Sequence, residues 1–242
     1  MIDIHCHILP DFDDGAADLA ESLEMARMAV SSGTTGIVAT PHFLGESASL
    51  RQLPVLLERY ERLKQALARE EIPLELHLGA EILCLPETPQ LAARQALPTI
   101  ADSRYLLTEF YFNEPASYMN EMLDSLAELG YLPVVAHPER YKAVQQDLHL
   151  ARHWFARGYV LQVNKGSLLG AFGPRVRHTS QQILSEGLAH LIASDAHGCD
   201  QRTPHMGLLR QWLAENCPPD YIDVLLNRNP ARIAAGKETV PV

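Results

Sequence analysis

The sequence predicts an α/β fold, a single-domain, distorted TIM-like barrel of seven β/α units spanning residues 1–242. Strand-like runs alternate with helical patterns along the whole chain, which implies parallel strands joined by right-handed crossovers. Six of the seven strand-like runs end in histidine, aspartate or glutamate, and a (β/α) barrel gathers such side chains at the C-terminal mouth of its strands. Both the first and the last run contribute, and only closure of the sheet brings those two strands around one centre.

Residues 1–8, MIDIHCHI, read as the first strand. Leu19, Leu23, Ala26 and Val30 then recur at helical spacing until Gly33 ends the helix. GIVATPHF at 36–43 is the second strand. Leu53, Leu56, Leu57, Tyr60, Leu63 and Leu67 lay one apolar face along the long helix after it, and Pro73 restarts the chain. LELHLGAEIL at 74–83 and RYLLTEF at 104–110 are the third and fourth strands, joined through a proline-containing connection. Met119, Met122, Leu123, Leu126 and Leu129 mark the next helix. YLPVVAHP, YVLQVNK and HLIASDAH, starting at 131, 159 and 190, complete the seven, with helical segments near 147–157, 179–187 and 204–216. Asn229 and Pro230 are placed to cap and start a terminal helix. There is no internal repeat, charge run or sign of a second domain.

Composition narrows the function classes. Hydrophobic content of 47% with 21% charged residues suits a packed core. A net charge of −10 with no basic stripe argues against nucleic-acid and membrane-surface partners. No run of about 18 apolar residues occurs, so membrane insertion is not expected. The N-terminus lacks the basic and apolar regions of a signal peptide, which predicts a cytoplasmic protein. Cys6, Cys84, Cys199 and Cys217 form no C-x-x-C pair, and none is followed by Arg at the sixth position. Zinc-ribbon, redox and cysteine-phosphatase readings therefore fall away, leaving reduced structural thiols.

Residues two apart on a strand face one side, so His5 and His7 present two imidazoles together, and Asp195 and His197 repeat the pattern. One such pair is equally well explained by a histidine capping a turn. Two pairs joined by four other strand-end donors, His42, Glu81, Glu109 and His137, are not, because crowded buried carboxylates and imidazoles need cations to balance them. The expectation is a multinuclear metal site whose mixed N and O donors admit Mn, Fe or Zn. Arg140 and Arg202 lie on loops beside ligand segments, where a guanidinium can hold phosphate through paired hydrogen bonds; a lone arginine is ordinarily a solvated charge. His77 is expected deeper in the barrel, and His149, His153, His178 and His190 on exposed segments. His205 is equally readable as structural or substrate-facing. Tyr111, Phe112 and Tyr141 are expected to pack rather than to line a pocket, and Lys165 receives no role.

H-C-H at 5–7, D-D-G at 13–15, T-P-H at 40–42, G-A-E at 79–81, T-E-F at 108–110, A-H-P-E-R-Y at 136–141 and S-D-A-H at 194–197 resemble, in this order and over essentially the whole chain, the PHP (polymerase and histidinol phosphatase) family. D-D-G and H-P-E-R-Y resemble more narrowly its bacterial manganese-dependent protein-tyrosine phosphatase branch, associated with capsule and exopolysaccharide biosynthesis. The resemblance implies the PHP version of the barrel and two or three divalent metals, manganese foremost. One would take His5, His7, Glu81 and Asp195; a second would share Glu81 and add Glu109 and His137; a third would use Asp14, His42 and His197. It also implies a phosphotyrosine protein substrate, the autophosphorylated tail of a bacterial tyrosine kinase. Metals about 3.5–4 Å apart clamp phosphoryl oxygens and activate water, so no protein nucleophile is required. The alternatives are a small-molecule phosphomonoesterase such as a histidinol-phosphate phosphatase, and a non-catalytic metal-stabilised scaffold. The scaffold is disfavoured because structural metal sites close their coordination.

Overall fold

Among the described residues nine short parallel strands form seven runs: β1 (Ile2–Cys6), β2 (Gly36–Ala39) with β3 (His42–Phe43), β4 (Glu75–Leu78) with β5 (Glu81–Leu83), β6 (Tyr105–Glu109), β7 (Leu132–Ala136), β8 (Val160–Asn164) and β9 (Leu191–Ala193). The computed structural model describes residues 1–241 and all side chains within them except those of 45–51; Val242, the end of the expected domain, lies outside the described residues. The second and third runs are each interrupted, at Thr40–Pro41 and at Gly79–Ala80. Proline cannot donate to a ladder, but the breaks lie side by side, and Gly79 N still bonds Ala39 O and Glu81 N still bonds Pro41 O.

The strands pair in the order β1-β2-β4 and β3-β5-β6-β7-β8-β9. Closure comes from the end of β1 meeting the segment after β9. Cys6 bridges Ala196 in parallel, Asp195 N donates to His5 O at 2.9 Å, and His7 N donates to Ala196 O at 2.8 Å. The expected seven-unit closed barrel is thus the observed one, and its two distortions sit where the ligand motifs T-P-H and G-A-E begin.

Inside the strands, Ile4, Val38, Leu107, Val134, Val160, Leu191 and Ala193 form an apolar layer. Outside, one core packs the helices Leu19–Ser31 and Gly45–Arg69 against β1 and β2, and a larger one packs the remaining helices. Some expected core positions differ. Leu57 and Leu129 are exposed and Leu53 is at the border of exposure, because the sheet needs only the narrower stripe of Leu56, Leu63 and Leu67 on one helix and Met119, Met122, Leu123 and Leu126 on the other. On the first helix Met25 and Ala29 are buried beside Ala26, with Leu19, Leu23 and Val30 at the margin.

The terminal α-helix Asn229–Ala234 begins at Asn229 with Pro230 in its first turn, as expected, but Asn229 does not cap it. This helix follows directly on Pro219–Asp223 and a π-type turn at Val224–Arg228, so the Asn229 side chain is free for other partners. That buried side chain donates to His190 O and accepts from Val240 N, tying the terminal segment to β9. His190, expected on the surface, is buried: its Nδ1 accepts from Leu161 N at 3.1 Å and its ring lies against Phe155.

Candidate metal centre

Reaching the mouth requires breaks in strand regularity. On β1, Asp3 pairs with Ile37 and Cys6 with Ala39, so three steps on one strand oppose two on the other. This bulge changes the phase of the side chains. Ile2 and Ile4 point into the apolar layer while Cys6 packs outward with Ile37 and Ala39, leaving His5 and His7 to face the mouth. At the other strand ends, His137 (φ 36°) and Asp195 (φ 50°) adopt left-handed backbone, a conformation costing a non-glycine residue roughly 1 kcal/mol or more. Val134 and Ala136 already face inward; without the turn, alternation would send His137 out.

The D-D-G loop folds back over His7. Ala16 N donates to His7 O, and a Cβ on Gly15 would stand 2.1 Å from that oxygen, so only glycine fits. The loop delivers Asp13, whose carboxylate lies 2.7 Å from His7 Nδ1 and accepts from His42 N at 2.8 Å and Gly15 N at 3.0 Å.

All nine predicted ligands converge. His5 Nε2 lies 3.3 Å from His7 Nε2, 3.3 Å from Glu81 and 3.4 Å from Asp195. His137 Nε2 is 2.9 Å from Glu81 and 3.5 Å from Glu109. His42 Nδ1 is 3.1 Å from Glu81 and 3.6 Å from Glu109, while its Nε2 is 3.4 Å from Asp14; His197 Nε2 is also 3.4 Å from Asp14. Three sets of donors are close enough to hold an ion: His5, His7 and Glu81; His42, Glu81 and Glu109; and His7, Asp14, His42 and His197. His42 and His7 therefore border two sets each, a more interlocked grouping than the resemblance implies.

The donor chemistry fits divalent cations. His5 Nδ1 is engaged by Gln162 at 2.8 Å and His7 Nδ1 by Asp13, the outer contacts that orient metal-ligating imidazoles. Both Nε2 atoms then face carboxylate oxygens and each other, and something positive must stand between them. Neighbouring donors bound to one cation at about 2.0–2.2 Å lie about 3–3.5 Å apart, which is the spacing observed. His197 Nε2 is buried and makes no hydrogen bond.

Electrostatics tell the same story. Burial disfavours imidazolium, yet Glu81 and Asp195 carry His5 up to about 9, and hydrogen bonds to Asp13 and Glu81 carry His7 up to about 10. Burial, with the Glu81 charge, pushes Glu109 up to about 7. Burial and the neighbouring His7 drop His197 to about 3. The mouth holds more negative charge than its own cations balance, and protons collect on two histidines where divalent ions would otherwise bind.

Both predicted arginines reach the cluster. Arg202 Nη2 is 2.6 Å and Arg140 Nη1 3.6 Å from Asp195. Arg140 lies over the ring of Phe112 at 4.3 Å and that of Phe172 at 4.6 Å. Tyr141 is buried packing, its hydroxyl accepting from Phe110 N, whereas Tyr111 and Phe112 are exposed at the rim. His205 is exposed, and His77 pairs with Glu75 four residues before Glu81. A cleft of about 400 Å³ opens beside Asp14, His197 and Arg202. A larger one of about 490 Å³, between Arg177 and Trp212, lies away from this chemistry.

Four supporting residues escaped the sequence reading: Asp13, Gln162, Asn164 and Phe172. Asn164 Nδ2 donates to Asp195 and Gln162 Nε2 donates to Asn164 at 2.7 Å, so β8, which gives no ligand, braces those of its neighbours. The signal was present in VLQVN, where Gln162 and Asn164 share the inward phase of Val160. Lys165 has a structural use as well, its Nζ donating to Thr203 O and His205 O and so holding the loop that carries Arg202.

Fold and site together define a class: closed parallel (β/α) barrels with a buried histidine–carboxylate cluster at the C-terminal mouth. Residues 1–235 match the family described as capsular polysaccharide synthesis, CpsB/CapC, and the chain belongs to that family. It is 40% identical over 210 residues to the tyrosine-protein phosphatase YwqE of Bacillus subtilis, covering 85% of this chain and 80% of the relative. It is 28% identical over 240 residues to the tyrosine-protein phosphatase CpsB of Streptococcus pneumoniae, covering 96% and 98%. A solved chain described under crystal structures of YwqE from Bacillus subtilis and CpsB from Streptococcus pneumoniae, unique metal-dependent tyrosine phosphatases, superposes with a TM-score of 0.90 at 34% identity, covering 100% of this chain and 97% of that one. A D-hydantoinase shares the fold alone, at TM-score 0.53 and 12% identity over 100% of this chain and 72% of that one.

Proposed function

We propose that this chain is a metal-dependent protein-tyrosine phosphatase whose nine converging donors hold two or three divalent ions, manganese foremost, with iron or zinc compatible with the same donors. Its substrate is a phosphotyrosine protein, the autophosphorylated tail of a bacterial tyrosine kinase that governs capsular or exopolysaccharide assembly, and it acts in the cytoplasm. The observation that carries this reading is the convergence of Arg140 and Arg202 on Asp195 at the edge of the histidine–carboxylate cluster. No helix among the described residues is long and apolar enough to cross a membrane.

Bound divalent ions supply Lewis acidity and an activated water for in-line attack on phosphorus. His5, His7, Asp14, His42, Glu81, Glu109, His137, Asp195 and His197 would hold them, and Asp13, Gln162 and Asn164 fix the orientation of His7, His5 and Asp195. Arg140 and Arg202 take the non-reacting phosphoryl oxygens and oppose the charge that grows in the transition state. Tyr111 and Phe112 offer an apolar wall to the substrate ring. An aryl oxide departs more readily than an alkoxide, so this site needs no strong acid beside the leaving oxygen. No cysteine serves as nucleophile, because burial pushes all four thiols above their ordinary range, the opposite of an activated thiolate.

Turnover of a phosphotyrosine peptide, a phosphoserine peptide and histidinol phosphate by protein of known metal content tests the reading. The phosphotyrosine peptide should give the highest kcat/KM, and chelation should abolish activity while thiol alkylation spares it. A higher kcat/KM for histidinol phosphate would replace the substrate assignment and keep the metal site; full activity in strong chelator would remove the metal site itself.

A further inference from the structure

We propose that Phe172, seated on the bare α-carbon of Gly166, is a positioning residue that presents the Arg140 guanidinium to the phosphate. The inference rests on the phosphatase reading and adds to it a part that no ligand motif contains. Phe172 lies in the short turn between the helices Lys165–Leu168 and Pro174–Ser185, immediately after the one strand that ends without a candidate ligand.

The geometry is specific. A Cβ built on Gly166 would meet Phe172 Cε2 at 2.9 Å and Cζ at 3.3 Å, so the ring rests where only glycine leaves room. The turn is closed by Ala171 N donating to Gly166 O at 2.8 Å. Its ring centroid lies 4.6 Å from the Arg140 guanidinium carbon and 5.9 Å from that of Arg202. Phe112 lies 4.3 Å from the same Arg140 carbon.

Aromatic rings hold a guanidinium by its face and leave the N–H edge unused, whereas carboxylate partners consume that edge. Arg140 makes one ion-pair contact, at 3.6 Å to Asp195, too long to occupy a donor fully. Arg202 is held on its other side by Asp195, and its Nε is buried with no hydrogen-bond partner. Both heads thus keep N–H groups that Asp195 does not fill, and Phe172 is the aromatic ring that the two guanidinium groups share, as Asp195 is the carboxylate they share. An arginine on so flexible a stem would otherwise lose rotamer freedom each time it bound phosphate.

Three variants test this: Phe172→Ala removes the ring, Phe172→Tyr keeps it, and Gly166→Ala displaces it from below. Inorganic phosphate binding to metal-loaded protein, measured by calorimetry, is expected to weaken about tenfold in Phe172→Ala and in Gly166→Ala and to stay within about twofold in Phe172→Tyr. In metal-free protein, 15N relaxation of the Arg140 Nε–H should report greater mobility in the first two variants only. In an Arg140→Ala background, adding Phe172→Ala should weaken phosphate binding by less than about twofold, since the residue it positions is gone. Unchanged phosphate affinity in Phe172→Ala, or losses that multiply in the double variant, would overturn the assignment. Loss of metal in Phe172→Ala would also overturn it by showing a role in the cluster. Because phosphate binding and side-chain order are read without turnover, inactivity of the wild-type protein on phosphotyrosine peptides would sink the substrate assignment and leave this one standing.

Discussion

The barrel interior has two layers, built by the same strands and opposite in character. Below the mouth, Ile4, Val38, Leu107, Val134, Val160, Leu191 and Ala193 pack in one buried apolar cluster, which favours the folded state through burial and dispersion. Toward the C-terminal ends the same strands and the turns after them present His5, His42, Glu81, Glu109, His137, Gln162, Asn164 and Asp195, a layer with more carboxylate charge than it can balance alone. One layer is arranged for stability and the other against it, and a few residues of strand separate them. Substitutions in each should therefore have opposite signatures.

The largest effect is expected at the upper layer. Burial holds the Glu109 pKa up to about 7, so its folded-state value lies above its unfolded one. The stability this group contributes is present below the unfolded pKa and is lost as pH rises through about 7. Above that pH its charge weighs on the metal-free fold. Glu109→Gln should lower kcat/KM on the order of a thousandfold by weakening metal binding. The metal-free variant at about pH 8 should unfold at a temperature equal to or above that of the metal-free wild type. A variant both inactive and less stable in chelator would mean that the upper layer also carries the fold.

Below it, Leu191→Ala should cost about 2–5 kcal/mol of stability by opening a cavity in the lower layer, read as a fall in urea midpoint. Turnover of the protein that remains folded should stay within about twofold of wild type. A large loss of turnover there would show that the layers are coupled and would break the comparison.

Arg140→Ala and Arg202→Ala sit outside both layers and should keep metal content while lowering kcat/KM about a hundredfold, the worth of a lost charged contact to phosphate. Elemental analysis beside kinetics separates this from ligand loss. Wild-type kinetics in both variants would remove the arginines from the reaction.

The lower layer and the ligand types were legible in the sequence because both rest on local rules: alternation along strands, and metal-binding side chains at strand ends. What escaped depends on backbone irregularity and on contacts between distant segments. The bulge between Asp3 and Cys6, and the left-handed turns at His137 and Asp195, leave no mark in a periodicity count. Gln162 and Asn164 looked like ordinary polar residues, yet they meet His5 and Asp195, 157 and 31 positions away in sequence. The exposed Leu57 and Leu129 show the converse error, apolar residues at helical spacing that the sheet had no room to cover.

The smallest effect compares histidines at opposite ends of the barrel. His5, at the mouth, is carried up to about 9 because Glu81 and Asp195 outweigh its burial. At His190, just before the last strand, burial acts alone and its pKa falls to about 4. Its Nδ1 accepts from Leu161 N, a bond that requires the unprotonated nitrogen. With the folded pKa below the unfolded value of about 6.5, its contribution to stability is complete above that value and is lost as pH falls from about 6.5 toward 4. Between about pH 7.5 and pH 5 the loss should reach about 2 kcal/mol. His190→Asn, which keeps an acceptor without the titration, should flatten the wild-type pH profile by that amount when both proteins are unfolded in urea with chelator present. Parallel profiles would mean that His190 accepts its proton without disturbing the fold, and that the contrast between the two ends belongs to the carboxylates of the mouth alone.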